Sequence, residues 1–229
     1  MLVLALDTTG RSLSAALADG GTPLSEISLS APGGHQKLVL EAVDALLRLS
    51  GLPLSAVEGL AVTTGPGSFS GVRLGVSVMK GLALGLERPV AGVPALSCLA
   101  AQAMLAGVSV WALMDSRRGE VYAAGYEPSP EGLVEISAPR VAKPLEIAAE
   151  ILPPAILVGD GAVRYADVLT ADPGRDIRLA PPETHAVRAA TVARLALPLL
   201  AAAKADSAET LAPLYLRPSD ARLPARPLR

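Results

Sequence analysis

The sequence predicts an α/β protein built from two similar halves, each with a mixed β-sheet flanked by helices. One stretch, VLALDTTGRSLSAA at residues 3–16, aligns without gaps with WALMDSRRGEVYAA at residues 111–124. A weaker echo follows in the same order, because GLAVTTGPG and AILVGDG are both apolar, strand-like runs that end in Gly-x-Gly before a helix. Repetition of one unit within a chain indicates two related subdomains.

The first half of the chain reads as three strands, a helix, a strand and a second long helix. The sequence DGG at residues 19–21 is a strong hairpin signal between the second and third strands. Gly51 and Pro53 end the first helix, and Pro89 ends the second. These patterns predict strands at residues 2–6, 12–18, 24–29 and 57–63, and helices at residues 35–49 and 70–86.

An uncharged stretch from residue 89 to residue 114 is long enough to span a membrane. Pro94 and Gly107 interrupt it, however, and divide it into a strand, a helix and a strand of the kind that α/β proteins bury. We therefore expect no membrane association. Together with the remaining patterns, this predicts strands at residues 90–93, 108–114, 133–136, 139–141, 156–158 and 177–179, and helices at residues 95–106, 144–151, 161–169 and 184–204.

The composition allows a sizeable core, since 51% of the residues are hydrophobic, and the formal net charge is −2. That charge argues against a protein that binds nucleic acid through a positive net charge. Cys98 is the one cysteine, which excludes an intrachain disulfide, and the N-terminus reads as a strand rather than a signal peptide. We expect a cytoplasmic protein with subdomains at residues 1–106 and 107–220 and a flexible Arg- and Pro-rich tail at residues 221–229.

Most catalytic signatures are missing from the sequence. The two histidines, His35 and His185, lie far apart and in no metal-binding spacing, so we expect no metal site. The stretch TTGPGSFSGVR at residues 63–73 lacks the lysine of a Walker phosphate loop and the spacing of a hydrolase nucleophile turn. Its glycines predict a tight turn, after which Ser68 or Ser70 caps the next helix.

Two turns combine a carboxylate with hydroxyl side chains. The first holds Asp7, Thr8 and Thr9, and the second, at the equivalent place in the repeat, holds Asp115 and Ser116. Such turns can hold a hydrated magnesium ion and phosphate oxygens, which is compatible with a nucleotide-binding kinase or ATPase that uses Asp7 and Asp115. An Asx or Ser/Thr turn that closes a hairpin has the same residues, so both interpretations stay open.

Both long helices of the first half have more apolar surface than one sheet can cover. Either they bury it against each other and their own subdomain, or they form an interface with another protein, and we favour the interface. Gly71 and Gly75 are four residues apart, a spacing that lets another helix approach closely. The interface is expected to include His35, Leu38, Val39, Ala42, Val43, Leu46, Gly71, Val72, Arg73, Gly75, Val76, Met79 and Lys80.

Five segments of the sequence are distinctive when they occur together and in this order. They are LALDTTGRSLSAAL, TTGPGSFSGVRLGVSVMKGLALG, ALMDSRRGEVYAAGYE, LVGDGAVRY and PLYLRPSDA. The chain thereby resembles the TsaB (YeaZ) family of bacterial tRNA threonylcarbamoyladenosine biosynthesis proteins from residue 2 to about residue 220, with little resemblance between residues 127 and 155. The resemblance implies the actin/Hsp70/sugar-kinase-like (ASKHA) fold, in which two similar subdomains each carry a mixed sheet flanked by helices.

The resemblance also implies partners. Proteins of this family bind and stabilise the catalytic subunit TsaD, which transfers threonylcarbamoyl to the adenosine beside the anticodon of ANN-decoding tRNAs. The ATPase TsaE completes the complex, and a homodimer forms where TsaD is absent. The contact with TsaD would use the two N-terminal helices, and this chain would reach tRNA through the complex.

By the same resemblance, this chain is expected to be a non-catalytic scaffold without catalytic residues, metal or cofactor of its own. ATP, the metal and the threonylcarbamoyl-adenylate would be handled by partner subunits, since the histidine pair that binds metal in TsaD is missing here. The turns at Asp7 and Asp115 would then be vestigial. A glycoprotease-like metallopeptidase is a remote alternative, because the sequence has no recognisable nucleophile–base set or metal site.

Overall fold

Two five-stranded sheets form the two halves of the molecule. The computed structural model describes residues 1–30, 35–202 and 204–217, and of residues 35 and 36 only the backbone. The first half contains β1 (Leu2–Asp7), β2 (Ser12–Asp19), β3 (Thr22–Ser30), α1 (His35–Ser50), β4 (Gly59–Gly65), α2 (Phe69–Leu86) and β5 (Val90–Pro94). Helix α3 (Ala95–Gln102) leads to the second half, which contains β6 (Ser109–Arg117), β7 (Glu120–Ser129), β8 (Gly132–Ala142), α4 (Pro144–Glu150), β9 (Ala155–Val158), α5 (Asp160–Arg164), α6 (Ala166–Leu169), β10 (Ile177–Leu179) and α7 (Ala189–Ala201).

The two sheets have the same topology. Their strand orders are β3-β2-β1-β4-β5 and β8-β7-β6-β9-β10. In both, the first strand of the half pairs antiparallel with the next strand and parallel with a later one, as β1 does with β2 and β4, and β6 with β7 and β9. Asp7 and Asp115 occupy equivalent places in β1 and β6. The repeat that the sequence predicts is therefore confirmed, and its weaker echo corresponds to the equivalent strands β4 and β9.

Helices cover both faces of the first sheet. α1 and α2 lie on one face and share an apolar core with leucines of β1 and β2. α3 and α7 lie on the other face, and their core continues to the second sheet through Val110, Ala112 and Met114 of β6. The far face of the second sheet packs against α4, α5 and α6 around Leu113 and Ile147. The core beneath α3 and α7 therefore contains residues of both sheets and joins the two halves.

Helix α7 begins later than the predicted residue 184, where the chain instead makes a 3-10 turn at Pro182–Thr184. The backbone N–H of Ala189 donates to Ser14 Oγ at 2.9 Å, and that of Ala190 donates to Glu26 Oε1 at 3.0 Å. These side chains satisfy N–H groups that a helix leaves unpaired at its start. Although α7 follows the second sheet in the chain, it packs on β1 and β2 of the first. The subdomain limits at residues 106 and 220 stay a prediction, and residues 221–229 lie outside the described residues.

Three further elements differ from the predictions. The two predicted strands at residues 133–136 and 139–141 form one strand, β8, because an edge strand tolerates the missing N–H of Pro139. The helix predicted for residues 161–169 is divided into α5 and α6 at Tyr165, whose φ of −113° is not helical. Helix α3 ends at Gln102, whose side-chain amide donates to the carbonyls of Thr184 and Ala186.

Helix α2 is, among the described residues, the one helix long and apolar enough to cross a membrane by length and composition alone. The core helix of a soluble protein passes the same test, and one face of α2 packs against β1 and β4. The residues that α2 buries are Gly71, Val72, Gly75, Val76, Met79 and Ala83.

Candidate functional site

The turn after β1 encloses a buried carboxylate. Asp7 is 1% exposed, and its Oδ1 accepts hydrogen bonds from Thr9 N at 3.2 Å, Thr9 Oγ1 at 2.6 Å and Thr63 Oγ1 at 2.5 Å. Thr63 comes from the neighbouring parallel strand β4, and the sequence alone did not single it out. The carboxylate therefore holds β1, its own turn and β4 together, as a structural Asx turn does.

The start of α2 sits directly on this turn. Thr8 Oγ1 donates to the carbonyl of Gly71 at 2.7 Å, and the N–H of Ser68 donates to the carbonyl of Thr9 at 2.8 Å. A Cβ atom on Gly75 would lie 2.5 Å from Thr8 Oγ1, and one on Gly71 would overlap the Thr8 carbonyl oxygen. The glycines at four-residue spacing thus let α2 approach its own sheet, and do not form the contact with another helix that the sequence suggested.

Ser68 caps α2, as the sequence predicts for Ser68 or Ser70. Its side chain accepts a hydrogen bond from Gly71 N at 3.4 Å. Asp7 is buried beside this capped start of α2, and its Oδ1 is occupied by three donors from Thr9 and Thr63. A magnesium ion or phosphate at Asp7 would have to displace these contacts.

The second turn, at the equivalent place in the repeat, is more open. Asp115 Oδ1 accepts from Arg117 N at 3.0 Å, and Asp115 Oδ2 pairs with Arg164 Nη1 at 3.1 Å. Arg117 and Arg118 are exposed, and their φ angles of 64° and 56° lie in the left-handed region. Ser116 is buried beneath them. The two turns therefore share a place in the topology but differ in environment.

Asp160 supports the second turn from below. Its Oδ1 accepts a hydrogen bond from the backbone N–H of Asp115 at 3.0 Å. Burial raises the pKa of Asp160, the hydrogen bond from Asp115 lowers it, and the negative charge of Asp115 raises it further, for a net upward shift. The folded chain therefore binds this proton more tightly than the unfolded chain does.

Replacing Asp160 with asparagine is expected to stabilise the chain at neutral pH and to have little effect at acid pH. Because the folded pKa is raised, the contribution of Asp160 to stability falls as the pH rises from its unfolded pKa through its folded pKa. Asparagine keeps an oxygen for the Asp115 N–H without the charge. Urea unfolding at both pH values, with the exposed Asp167→Asn as control, measures the difference. An equal gain at both pH values would contradict this assignment.

A C-terminal segment, residues 204–217, crosses from the first half to the second, and we call it the C-terminal strap. Asp206 Oδ2 accepts from Gly92 N at 3.1 Å, and the N–H of Leu214 donates to the carbonyl of Thr64 at 2.7 Å. Arg217 donates to the carbonyl and the hydroxyl of Ser116, both at 3.3 Å, and pairs with Glu120. The sequence matched part of this segment to a family but gave no sign that it contacts β4 and β5 in the first half and the Ser116 turn in the second.

The predicted interface on α1 and α2 needs a correction. Most of its residues are buried in this chain's own core, against the first sheet, so they form no surface in this fold. Leu38 and Lys80 are half-buried and Arg73 is exposed, whereas the side chain of His35 lies outside the described residues. The buried residues are Val39, Ala42, Val43, Leu46, Gly71, Val72, Gly75, Val76 and Met79.

Other apolar and small residues of the two helices do reach the surface, and we call them the outer helix face. Leu84, for instance, is 66% exposed, and a Cβ atom added at Gly81 or Gly85 would meet nothing within 4 Å. On α1 a charged row that includes Glu41 and Asp44 lies opposite the buried side and divides the apolar residues into two flanks, Leu38, Ala45 and Leu49 on one and Leu40 and Leu47 on the other. The outer helix face consists of Leu38, Leu40, Ala45, Leu47 and Leu49 of α1, and Leu74, Ser77, Val78, Gly81, Leu82, Leu84 and Gly85 of α2.

His185 has a structural partner in the backbone of the second half. His185 Nδ1 accepts from the N–H of Gly159 at 3.1 Å, between α5 and the segment that precedes α7. In the part of the chain that the structure describes, no group of three or more His, Cys, Asp or Glu side chains is placed to hold a metal ion.

The paired sheets, each with a hairpin, a parallel crossover and covering helices, have the actin/Hsp70/sugar-kinase-like fold that the sequence predicts. The ethanolamine utilization protein EutJ from Carboxydothermus hydrogenoformans has a similar fold. Its TM-score with this chain is 0.55 at 13% identity, over 85% of this chain and 90% of EutJ.

Closer relatives identify the family. A family model described as TsaD, tRNA N6-adenosine threonylcarbamoyltransferase, matches residues 30–219. YeaZ from Pseudomonas aeruginosa superposes with a TM-score of 0.80 at 31% identity, over 94% of this chain and 99% of that one. The tRNA threonylcarbamoyladenosine biosynthesis protein TsaB of Escherichia coli is 39% identical over 58% of this chain and 58% of its own, so the chain spans little more than half of this curated relative. The chain belongs to the TsaB/YeaZ family, within the wider family that the TsaD model describes.

Proposed function

We propose that this chain takes part in tRNA threonylcarbamoyladenosine biosynthesis as a non-catalytic subunit that binds and stabilises a TsaD-type transferase. The name of the Escherichia coli relative supports the pathway. The observation that carries the subunit role is the outer helix face, because exposed and half-buried apolar and small residues on two adjacent helices are typical of a protein contact.

The geometry of the outer helix face suits a second pair of helices. Gly81 and Gly85 are four residues apart on the exposed side of α2, and open space surrounds both. Small residues in that spacing let helix axes approach closely, and the leucines beside them supply the buried area. The transferase is therefore proposed to pack on α1 and α2 through this outer side, and a second copy of this chain to occupy it where the transferase is absent.

The closed Asp7 turn favours a subunit without nucleotide chemistry. Kinases and ATPases that use a carboxylate to hold magnesium need it open to the ligand, whereas Asp7 is buried and hydrogen-bonded to Thr9 and Thr63. We propose that ATP, the metal and the threonylcarbamoyl-adenylate are held by partner subunits, among them a TsaE-type ATPase. The chain would act in the cytoplasm, away from membranes, and meet tRNA within the complex.

Co-purification with a tagged TsaD-type transferase tests this proposal. Leu84→Arg on the outer helix face is compared with Leu145→Arg on α4, because the two leucines are 66% and 71% exposed and neither change should unfold the chain. We expect Leu84→Arg and Gly81→Arg to weaken binding by more than about tenfold, as at interface hot spots, and Leu145→Arg to bind as the wild type. Equal binding by all variants would show that the partner contacts another surface.

A further inference from the structure

An exposed cluster of two rings and a guanidinium lies where the C-terminal strap meets the start of α2. The guanidinium carbon of Arg73 lies 3.8 Å from the centroid of the Phe69 ring and 5.9 Å from that of Tyr215. The two ring centroids are 5.4 Å apart, and Arg73 Nε donates to the Tyr215 hydroxyl at 2.9 Å. Phe69 is the chain's one phenylalanine, yet it is 44% exposed, and Tyr215 is 45% exposed. Arg73 thus links one ring from α2 and one ring from the strap at the surface.

The arginine turn between β6 and β7 is a second unusual feature on this side. Arg117 and Arg118 are consecutive non-glycine residues with positive φ, and Gly119 follows with a φ of 78°. Left-handed backbone at a residue with a Cβ costs free energy, and such residues cluster at functional sites. The turn places both arginine side chains at the surface.

The strap brings these two features together. Tyr215 and Arg217 are two residues apart, within roughly 7 Å along the chain, and Arg217 contacts Ser116, the residue before Arg117. We call the combined set the arginine–aromatic surface, which consists of Phe69, Arg73, Arg117, Arg118, Tyr215 and Arg217.

The charge of this surface is the opposite of the chain's overall charge of −2. Its neighbouring carboxylates, Asp115 and Glu120, are already paired with Arg164 and Arg217. Among the described residues, Arg73 and Arg117 have no carboxylate within ion-pair distance. Within that part of the chain, no carboxylate competes with an anion from another molecule for these two guanidinium groups.

We propose that the arginine–aromatic surface binds single-stranded RNA, with arginines on phosphates and rings on bases. Exposed rings beside an arginine fit this ligand, because bases stack on aromatic and guanidinium planes while phosphates pair with arginines. A locally positive surface on an otherwise acidic chain also directs a polyanion to one place. This inference deepens the function proposed above, on which the choice of RNA over another polyanion rests.

RNA binding by the full chain tests the inference. The probes are a labelled single-stranded RNA and a tRNA transcript, each titrated at several salt concentrations. The variants are Arg117→Asn, since asparagine tolerates left-handed backbone, Arg73→Gln and Tyr215→Ala, with the exposed Arg178→Asn on β10 as control. We expect each arginine variant to reduce the slope of log affinity against log salt by roughly 0.7, Tyr215→Ala to weaken binding about fivefold or more, and the control to bind normally.

The inference is overturned if the wild-type chain binds neither RNA, or if Arg117→Asn, Arg73→Gln and Tyr215→Ala bind as the control does. It is also overturned if these variants lose the TsaD-type transferase while RNA binding is unchanged, since the surface would then be a protein contact. The Leu84→Arg variant separates this outcome from failure of the proposed function. It should no longer bind the transferase, but it should bind RNA as the wild type does. Thermal unfolding of each variant confirms that it is folded.

Discussion

Replacing Gly71 with alanine is expected to destabilise the chain by more than about 3 kcal/mol, the upper end of the usual cost of overpacking. The new Cβ would overlap the carbonyl oxygen of Thr8, a backbone atom that cannot rotate away. Thr8 also donates to Gly71 O, so moving α2 outward would break that hydrogen bond. Urea unfolding followed by circular dichroism measures the loss.

Gly81→Ala is the matched control, because it makes the same change in the same helix. A Cβ atom at Gly81 meets nothing within 4 Å, and alanine is the better helix former by up to about 1 kcal/mol. The control should therefore be as stable as the wild type or slightly more stable. Equal stability of Gly71→Ala and Gly81→Ala would mean that α2 does not sit on the Asp7 turn as described.

Replacing Asp7 with alanine is expected to cost about 3–5 kcal/mol of stability, since several hydrogen bonds to a charged group are lost. The hydroxyl of Thr63 is fully buried and would lose the acceptor it has at 2.5 Å, and Thr9 would lose the acceptor of two bonds. Asp7→Asn should cost less, because it keeps one side-chain oxygen. Thermal unfolding of both variants measures the effect.

Asp115→Asn is the control at the equivalent place in the second half. Asp115 pairs with Arg164, which is largely exposed, so the expected loss is below about 1 kcal/mol. An ATPase that uses Asp7 and Asp115 predicts the opposite result, namely stable variants that lose nucleotide turnover. If Asp7→Ala unfolds at the wild-type temperature, its carboxylate does not have the structural role described here.

The sequence predicted the architecture because two copies of one unit are expected to have the same strand pairing. Once residues 3–16 and 111–124 align, the pairing of β6 with β7 and β9 follows from that of β1 with β2 and β4. The start of α7 could not be predicted from the repeat, because the side chains that accept hydrogen bonds from its first N–H groups, Ser14 and Glu26, lie far away in the chain.

The candidate sites were harder to predict, for reasons that Gly71 and Gly81 illustrate. Both are helical glycines next to apolar residues, but one meets the Thr8 carbonyl of its own sheet and the other meets open space. Helical periodicity predicts which residues of α2 point in the same direction. It does not predict which part of the protein lies in that direction. The contacts of the strap were not predicted because residues 211–217 form neither helix nor strand, so their sequence has no periodicity that would indicate a buried side.

The formation of threonylcarbamoyladenosine in a reconstituted reaction tests the central claim most directly. The reaction contains tRNA, a threonylcarbamoyl-adenylate source, and TsaD-type and TsaE-type proteins, with this chain added as wild type, Asp115→Asn or Leu84→Arg, or omitted. We predict that the modified nucleoside forms with the wild type and Asp115→Asn, and is lost with Leu84→Arg and on omission. Full modification without this chain, or with Leu84→Arg, would contradict its role as a subunit that acts through the outer helix face.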